Sequence, residues 1–246
     1  MDEKVVLITG GARRVGAAMC RMLHASGAHL MLHYRSSGDA ARALQAELNA
    51  TRPDSVALIQ ADLLNISTLP SLVNETVQRF GRMDALINNA SSFFPTPIGE
   101  ITEDSWDDLV GTNLKTPLFL SQAAAPHLKR THGCIVNIVD IHADRPMKSY
   151  AVYSAAKGGL MALTRSLAGD MGPEVRVNGV SPGVILWPED DRWSDELARQ
   201  RIIHTTLLKR VGEPEDIART ARFLIYDAPY ITGQVITVDG GRSIHL

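Results

Sequence analysis

The stretch ITGGARRVGAAM, residues 8–19, decides the fold. It follows the apolar run VVLI (5–8) and leads into an amphipathic pattern over 15–26, so it reads as strand, tight turn and helix. Gly10, Gly11 and Gly16 let the backbone turn sharply and come close to a pyrophosphate held at a helix N-terminus. The spacing is T-G-x-x-x-R-x-G rather than G-x-G-x-x-G, with Arg14 where a middle glycine is expected. An arginine there aims a guanidinium fork at phosphate oxygens or at an acceptor on a bound ligand.

The same alternation continues outward. Strand-like runs fall at 29–34, 56–60, 84–88, 134–140, 175–180 and 234–239, and helical patterns at 39–51, 67–80, 103–130, 151–171 and 214–227. Continuous apolar strands alternating with helices imply a parallel sheet covered on both faces. Right-handed crossovers then give an α/β, single-domain, doubly wound parallel sheet of about seven strands. One domain is expected over 1–246, with no repeat, linker or low-complexity segment. The irregular stretch GVILWPEDDRWSD (183–195) follows the sixth strand, and a substrate-loop lid is expected near 183–205.

Composition narrows the function. The chain has 246 residues, 45% of them hydrophobic, enough to bury a sizeable core. A net charge of −2 gives no reason to expect nucleic acid or an anionic membrane as partner. The start MDEKVVLITG lacks the basic and long apolar regions of a signal peptide, and no apolar run reaches the ~20 residues of a membrane span. Cys20 and Cys134 sit in apolar segments and read as reduced core thiols, so a cytoplasmic location is expected. His33, His142 and His204 have no metal-ligand spacing and read as core or surface histidines; no metal site is expected.

The strand ends carry the ligand chemistry. HYRSS (33–37) closes the second strand without the Asp or Glu that would hold a ribose 2′-hydroxyl; Arg35 with Ser36 and Ser37 offers a cation and hydroxyls to a 2′-phosphate instead. NADP(H) is therefore the expected cofactor. Asp62 in ADL (61–63) suits an adenine amino group, and the small residues of NNAS (88–91) allow close approach. Tyr153 and Lys157 lie one helical turn apart on one face. A phenol near pKa 10 is a sluggish acid–base at neutral pH, and the neighbouring ammonium is expected to lower that value.

With TGGARRVG, ADL, NNAS, Asn113, YSAAK, SPG (181–183) and VDGG (238–241), the chain resembles the short-chain dehydrogenase/reductase family over essentially its full length. The resemblance implies a Rossmann-like fold and a pyridine nucleotide. It implies Tyr153 as acid–base, Lys157 on the nicotinamide ribose and Asn113 anchoring a water relay to Lys157. It places the cofactor against Gly10, Arg13, Arg14, Val15, Tyr34, Arg35, Ser36, Asp62 and Leu63. Further along, Asn89, Ala90, Ser91, Tyr153, Lys157, Pro182 and Gly183 complete that set. With the apolar terminal strand QVITVD, it also implies a homotetramer.

One position departs from the family pattern. Most members place a serine at the end of the fifth strand to hold a substrate carbonyl; this chain has Asp140. An ionised carboxylate there repels the negative charge that develops on a ketone oxygen, and suits a substrate with hydrogen-bond donors or one that needs a proton on nitrogen. Arg14, the NNASSF run with Phe93, and Asp140 together resemble the pteridine reductase subfamily. That resemblance assigns Phe93 to stack a pterin, Ser91 and Arg14 to touch cofactor phosphate and ligand, and Asp140 with Tyr153 to supply protons. Trp187 is a further candidate for the pocket wall. Reduction of a pteridine, a 7,8-dihydropterin or else biopterin or folate, is the leading expectation. The alternatives are a carbonyl reductase acting on a 3-oxoacyl thioester and a non-catalytic NADP-binding sensor.

Overall fold

The computed structural model describes residues 3–187 and 194–244. Seven strands form one sheet: β1 Val5–Ile8, β2 His29–Tyr34, β3 Val56–Gln60, β4 Ala85–Asn88, β5 Cys134–Ile138, β6 Arg176–Pro182 and β7 Val235–Val238. All neighbours pair in parallel, in the order β3-β2-β1-β4-β5-β6-β7. The helices are α1 Arg14–Ala25, α2 Gly38–Thr51, α3 Leu69–Phe80, α4 Glu103–Val110, α5 Thr116–Thr131, α6 Ala151–Met171, α7 Glu196–Thr205 and α8 Pro214–Tyr226.

The alternation of side chains along each strand builds two cores. Val6 and Ile8 of β1, with Ala85 and Ile87 of β4, pack among α1, α2 and α8; Leu7 and Leu86 point the other way, among α3, α5 and α6. Both faces are buried, which is why these strands read as unbroken apolar runs. The strand order reverses between β1 and β4, so the crevice beyond their carboxyl ends is the place where such sheets take ligands.

The expected single helix over 103–130 is interrupted: α4 and α5 are joined by a π turn at Gly111–Lys115 that carries Asn113. Pro117 has no N–H to give the Asn113 carbonyl four residues back, so the hydrogen-bond register must change there. Helix α7 is the other difference. It buries no residue, so it shows no apolar stripe in the sequence; Asp195 starts it by accepting from Leu197 N at 2.9 Å. Residues 188–193 of the expected lid lie outside the described residues. No described helix is long and apolar enough to cross a membrane.

Candidate active site

The first loop is held from both sides. Thr9 Oγ1 accepts from the backbone N–H of Asn89 and Ala90, at 2.9 and 3.0 Å, and Asn89 Nδ2 donates to the carbonyls of Thr9 and Gly10, each at 2.9 Å. His33 Nδ1 accepts from Gly10 N at 3.2 Å, so Nε2 carries the proton and donates to Ala61 O at 3.1 Å. Burial lowers the pKa of His33, which keeps it neutral in this role. Gly10 has φ +62, and a side chain on it would press on Ala90 Cα at 3.0 Å; a side chain on Gly16 would collide with the Gly10 carbonyl. The loop is thus a rigid glycine cradle, as a pyrophosphate requires.

Two adjoining cavities open from this cradle. One, of about 360 Å³, is walled by Gly10, Arg13, Arg14 and Val15 on one side, by Arg35, Asp62 and Leu63 on another, and by Asn89, Ala90 and Ser91 at its far end. The second, of about 580 Å³, holds Tyr34, Ser36 and Ser37 with Arg13 and Arg42. The expected phosphate-binding residues therefore divide: Ser36 faces one cavity, Arg35 the other, and Arg13 lies on both. This cationic, glycine-floored groove fits a dinucleotide of the NAD(P) type.

The substrate-side cavity, of about 280 Å³, shares Arg14, Val15, Asn89 and Ser91 with the first and continues past Asp140, Tyr153 and Lys157 to Pro182 and Gly183, with Phe93 and Trp187 on its walls. Asp140 uses both oxygens. Oδ1 accepts from His142 N at 2.8 Å, capping the turn that follows β5, and Oδ2 accepts from the Tyr153 hydroxyl at 2.8 Å. The capping role and the role beside the tyrosine are compatible in one carboxylate. Lys157 is buried, donates to Ile138 O at 2.8 Å and lies 5.8 Å from the Tyr153 ring centre.

The electrostatics correct one sequence expectation. Tyr153 is not lowered by Lys157; burial first, and then the Asp140 charge and hydrogen bond, push its phenol well above 10. Burial also pulls Lys157 down to about 8, against the opposing attraction of Asp140. Tyr153 is thus a neutral donor aimed at a carboxylate, a different poise from a phenolate beside an ammonium.

Asn113 lies behind the cavity wall. It is buried, its Nδ2 donates to the carbonyls of Leu109 and Ser92, each at 2.9 Å, and its Oδ1 accepts from Ser91 Oγ at 2.7 Å. Phe93 stacks on Tyr150 at 4.7 Å and meets Tyr153 edge-on at 4.9 Å. Arg14, with φ +52, donates to the carbonyls of Leu186 and Trp187 at 3.0 and 3.1 Å. Arg199 of α7 lies over the Trp187 ring at 5.4 Å. Sequence reasoning missed Thr9, the structural part of His33, Arg42 and the place of His142 on the cavity wall. Of these Thr9 had a signal as the first residue of the T-G-x-x-x-R-x-G pattern, and His33 as a polar residue inside a buried strand.

Comparison with known proteins agrees with this architecture. A sequence model for the family described as enoyl-(acyl carrier protein) reductase matches residues 10–243. Pteridine reductase 1 of Leishmania tarentolae is 36% identical over 280 aligned positions, covering 98% of this chain and 96% of the relative. A 3-oxoacyl-[acyl-carrier-protein] reductase of Staphylococcus aureus is 35% identical over 241 positions, covering 97% of each. A probable 2,4-dienoyl-CoA reductase of Bacillus subtilis is 35% identical over 252 positions, covering 100% and 98%. The chain belongs to the short-chain dehydrogenase/reductase family, a family of oxidoreductases.

Proposed function

We propose that this protein reduces a pteridine with NADPH, taking a 7,8-dihydropterin to its tetrahydro form, with biopterin- and folate-type rings as the substrate class. The observation that carries the reading is the Tyr153–Asp140 hydrogen bond of 2.8 Å at the strand end, inside a cavity that also holds Phe93 and Arg14. The relative named pteridine reductase 1 supports it.

Bound NADPH supplies the hydride. Arg13, Arg35 and Ser36 surround the phosphate-binding groove, and Gly10 and Gly16 give the backbone its close approach. Lys157, fixed on Ile138 O, orients the ribose beside Tyr153. Tyr153 retains its proton at neutral pH, because burial and Asp140 both favour the phenol. A ring nitrogen that gains electron density replaces Asp140 as acceptor of that proton, and Asp140 takes up the ring's own N–H donors. Phe93 offers an aromatic face for a flat ring. A ketone substrate would place its developing oxyanion against a carboxylate, which disfavours the transition state.

The oxoacyl thioester reductases among the relatives favour a second reading, a carbonyl reductase with the same Tyr153 and Lys157. Following NADPH oxidation with 7,8-dihydrobiopterin and with a β-ketoester separates the two. Turnover of the pterin is the expected result; good turnover of the ketoester with every pterin ignored would leave only the second reading. Any NADPH turnover excludes a non-catalytic sensor.

A further inference from the structure

Helix α2 begins at the edge of the 580 Å³ cavity that Ser36, Ser37 and Arg13 share. Arg42, one turn into that helix, does not extend away from it. A Cβ built on Gly38 would lie 3.1 Å from Arg42 Nη1, so the guanidinium folds back over the first turn, toward the helix N-terminus and the cavity. There its Nη2 donates to Asp39 Oδ1 at 2.5 Å. Both groups remain in solvent, with 63% of the Arg42 side chain and the whole of Asp39 exposed. Arg35, the cation the sequence offers for a 2′-phosphate, faces the neighbouring cavity with His33 and Asp62 instead. Its carbonyl is tied to Gln60 Nε2 at 2.9 Å.

We infer that Arg42 is a specificity-determining residue of this enzyme, a cation that acts with Arg13 on the 2′-phosphate of NADP(H), and that Asp39 competes with the phosphate for it. Three features converge there. The cavity is lined by two cations, Arg13 and Arg42. Ser36 and Ser37 add hydroxyls, and α2 brings the N–H end of its dipole. The carboxylate on Arg42 is a single-point contact from its own helix turn, so a phosphate with more acceptor oxygens displaces it. Asp39 then stands beside a dianion as a like charge. It weakens the phosphate contact, and it presents the kind of acceptor that a ribose 2′-hydroxyl would use. The pair thus sets the ratio of NADPH to NADH affinity from both ends.

The inference rests on the NADP reading of the groove, and binding of nucleotide fragments separates the two without recourse to turnover. Calorimetric titration compares 2′,5′-ADP with 5′-AMP, for the parent, Arg42→Ala and Asp39→Asn, at low salt. The parent is expected to prefer 2′,5′-ADP. Arg42→Ala should lose roughly tenfold in 2′,5′-ADP affinity with 5′-AMP unchanged, as expected for one charge-assisted phosphate contact. Asp39→Asn should gain a fewfold for 2′,5′-ADP, and the gain should shrink in the double variant, where only the like-charge repulsion is left to relieve. Undiminished 2′,5′-ADP binding by Arg42→Ala would overturn the inference and leave the NADP reading standing. A parent that binds the two fragments equally would overturn both. Both positions are exposed near the start of α2, and circular dichroism of each variant checks that the helix is intact.

Discussion

The hydroxyl of Tyr153 donates to Asp140 Oδ2 at 2.8 Å, across 13 residues of chain and from a helix to a strand end. That contact makes the phenol an acid whose proton is held by a carboxylate. Asp140→Asn removes the charge and keeps the shape. Burial remains, so the phenol stays above its usual value but falls relative to the parent. Tyrosinate absorbance in an alkaline titration, taken as a difference from the parent, should show that one group ionising at lower pH. Pterin reduction should drop by roughly 10²–10⁴-fold, the usual weight of a positioned acid–base pair. An unchanged rate would remove Asp140 from the proton path.

The first strand, the glycine turn and the alternation of strands and helices were legible because burial on both faces of the sheet writes itself as apolar runs. Helix α7 was not, because it buries nothing. The π turn at Asn113 was not, because the Pro117 that changes the register reads equally well as the first turn of a helix. At the site, Lys157 one turn from Tyr153 suggested a lowered phenol pKa. The opposite direction follows from the depth of the pocket and from which Asp140 oxygen faces Tyr153, and both are set by chain folding rather than by spacing. Arg42 was invisible for a similar reason: only the fold-back over Gly38 brings it to the cavity.

Phe93 should separate substrate binding from cofactor binding. Its ring is on the wall of the substrate-side cavity and off the walls of the two nucleotide cavities. Phe93→Ala should raise the KM for a dihydropterin roughly fivefold while NADPH affinity, read by fluorescence, stays within twofold of the parent, since one aromatic face is worth on the order of 1 kcal/mol. It should also lower the melting temperature slightly, because Tyr150 loses its partner at 4.7 Å. Parallel weakening of NADPH would mean that the ring supports the fold of the groove rather than the substrate.

We further propose a homotetramer. Strand β7 is the last of the sheet, with Val235, Ile236 and Val238 only half-buried. In the same C-terminal part of the chain, Phe223 of α8, Tyr230 and Ile244 leave 40%, 102% and 71% of their surface in solvent. On α4 and α5, Trp106 and Leu118 are 48% and 37% exposed. Two separate apolar regions suit two kinds of two-fold contact, the arrangement of a closed four-subunit assembly, and each needs to bury roughly 1,600 Å² to be stable. Light scattering at micromolar concentration should give four times the chain mass; a monomer there refutes the proposal.

Lys157 should cost stability where it gives activity. Its ammonium is buried and its pKa falls from 10.5 to about 8. The sign follows from linkage: above pH ~10.5 the lysine is neutral folded or unfolded and contributes nothing. Between there and about 8 the unfolded chain takes up the proton first, so stability falls as pH falls, and below about 8 the full penalty of about 3 kcal/mol is in place. Tyr153 opposes this only at the top of the range, since its raised pKa gives stability that is lost as pH rises beyond ~10. Lys157→Met keeps the length of the side chain and removes the charge. It also forfeits the charge-assisted bond to Ile138 O, worth roughly 1.5–3 kcal/mol, so the penalty is largely offset at neutral pH and the substitution shows itself as a lost pH dependence of stability, with almost no turnover. Urea unfolding from pH 7 to pH 10 should show the parent gaining stability relative to the variant on the alkaline side; the buried thiols of Cys20 and Cys134, which burial pushes up, lose stability above the ordinary thiol range in both proteins alike and cancel in the difference. Matching slopes for the two proteins would mean that Lys157 holds its proton as firmly in the fold as out of it, and that the carboxylate of Asp140 compensates the burial in full.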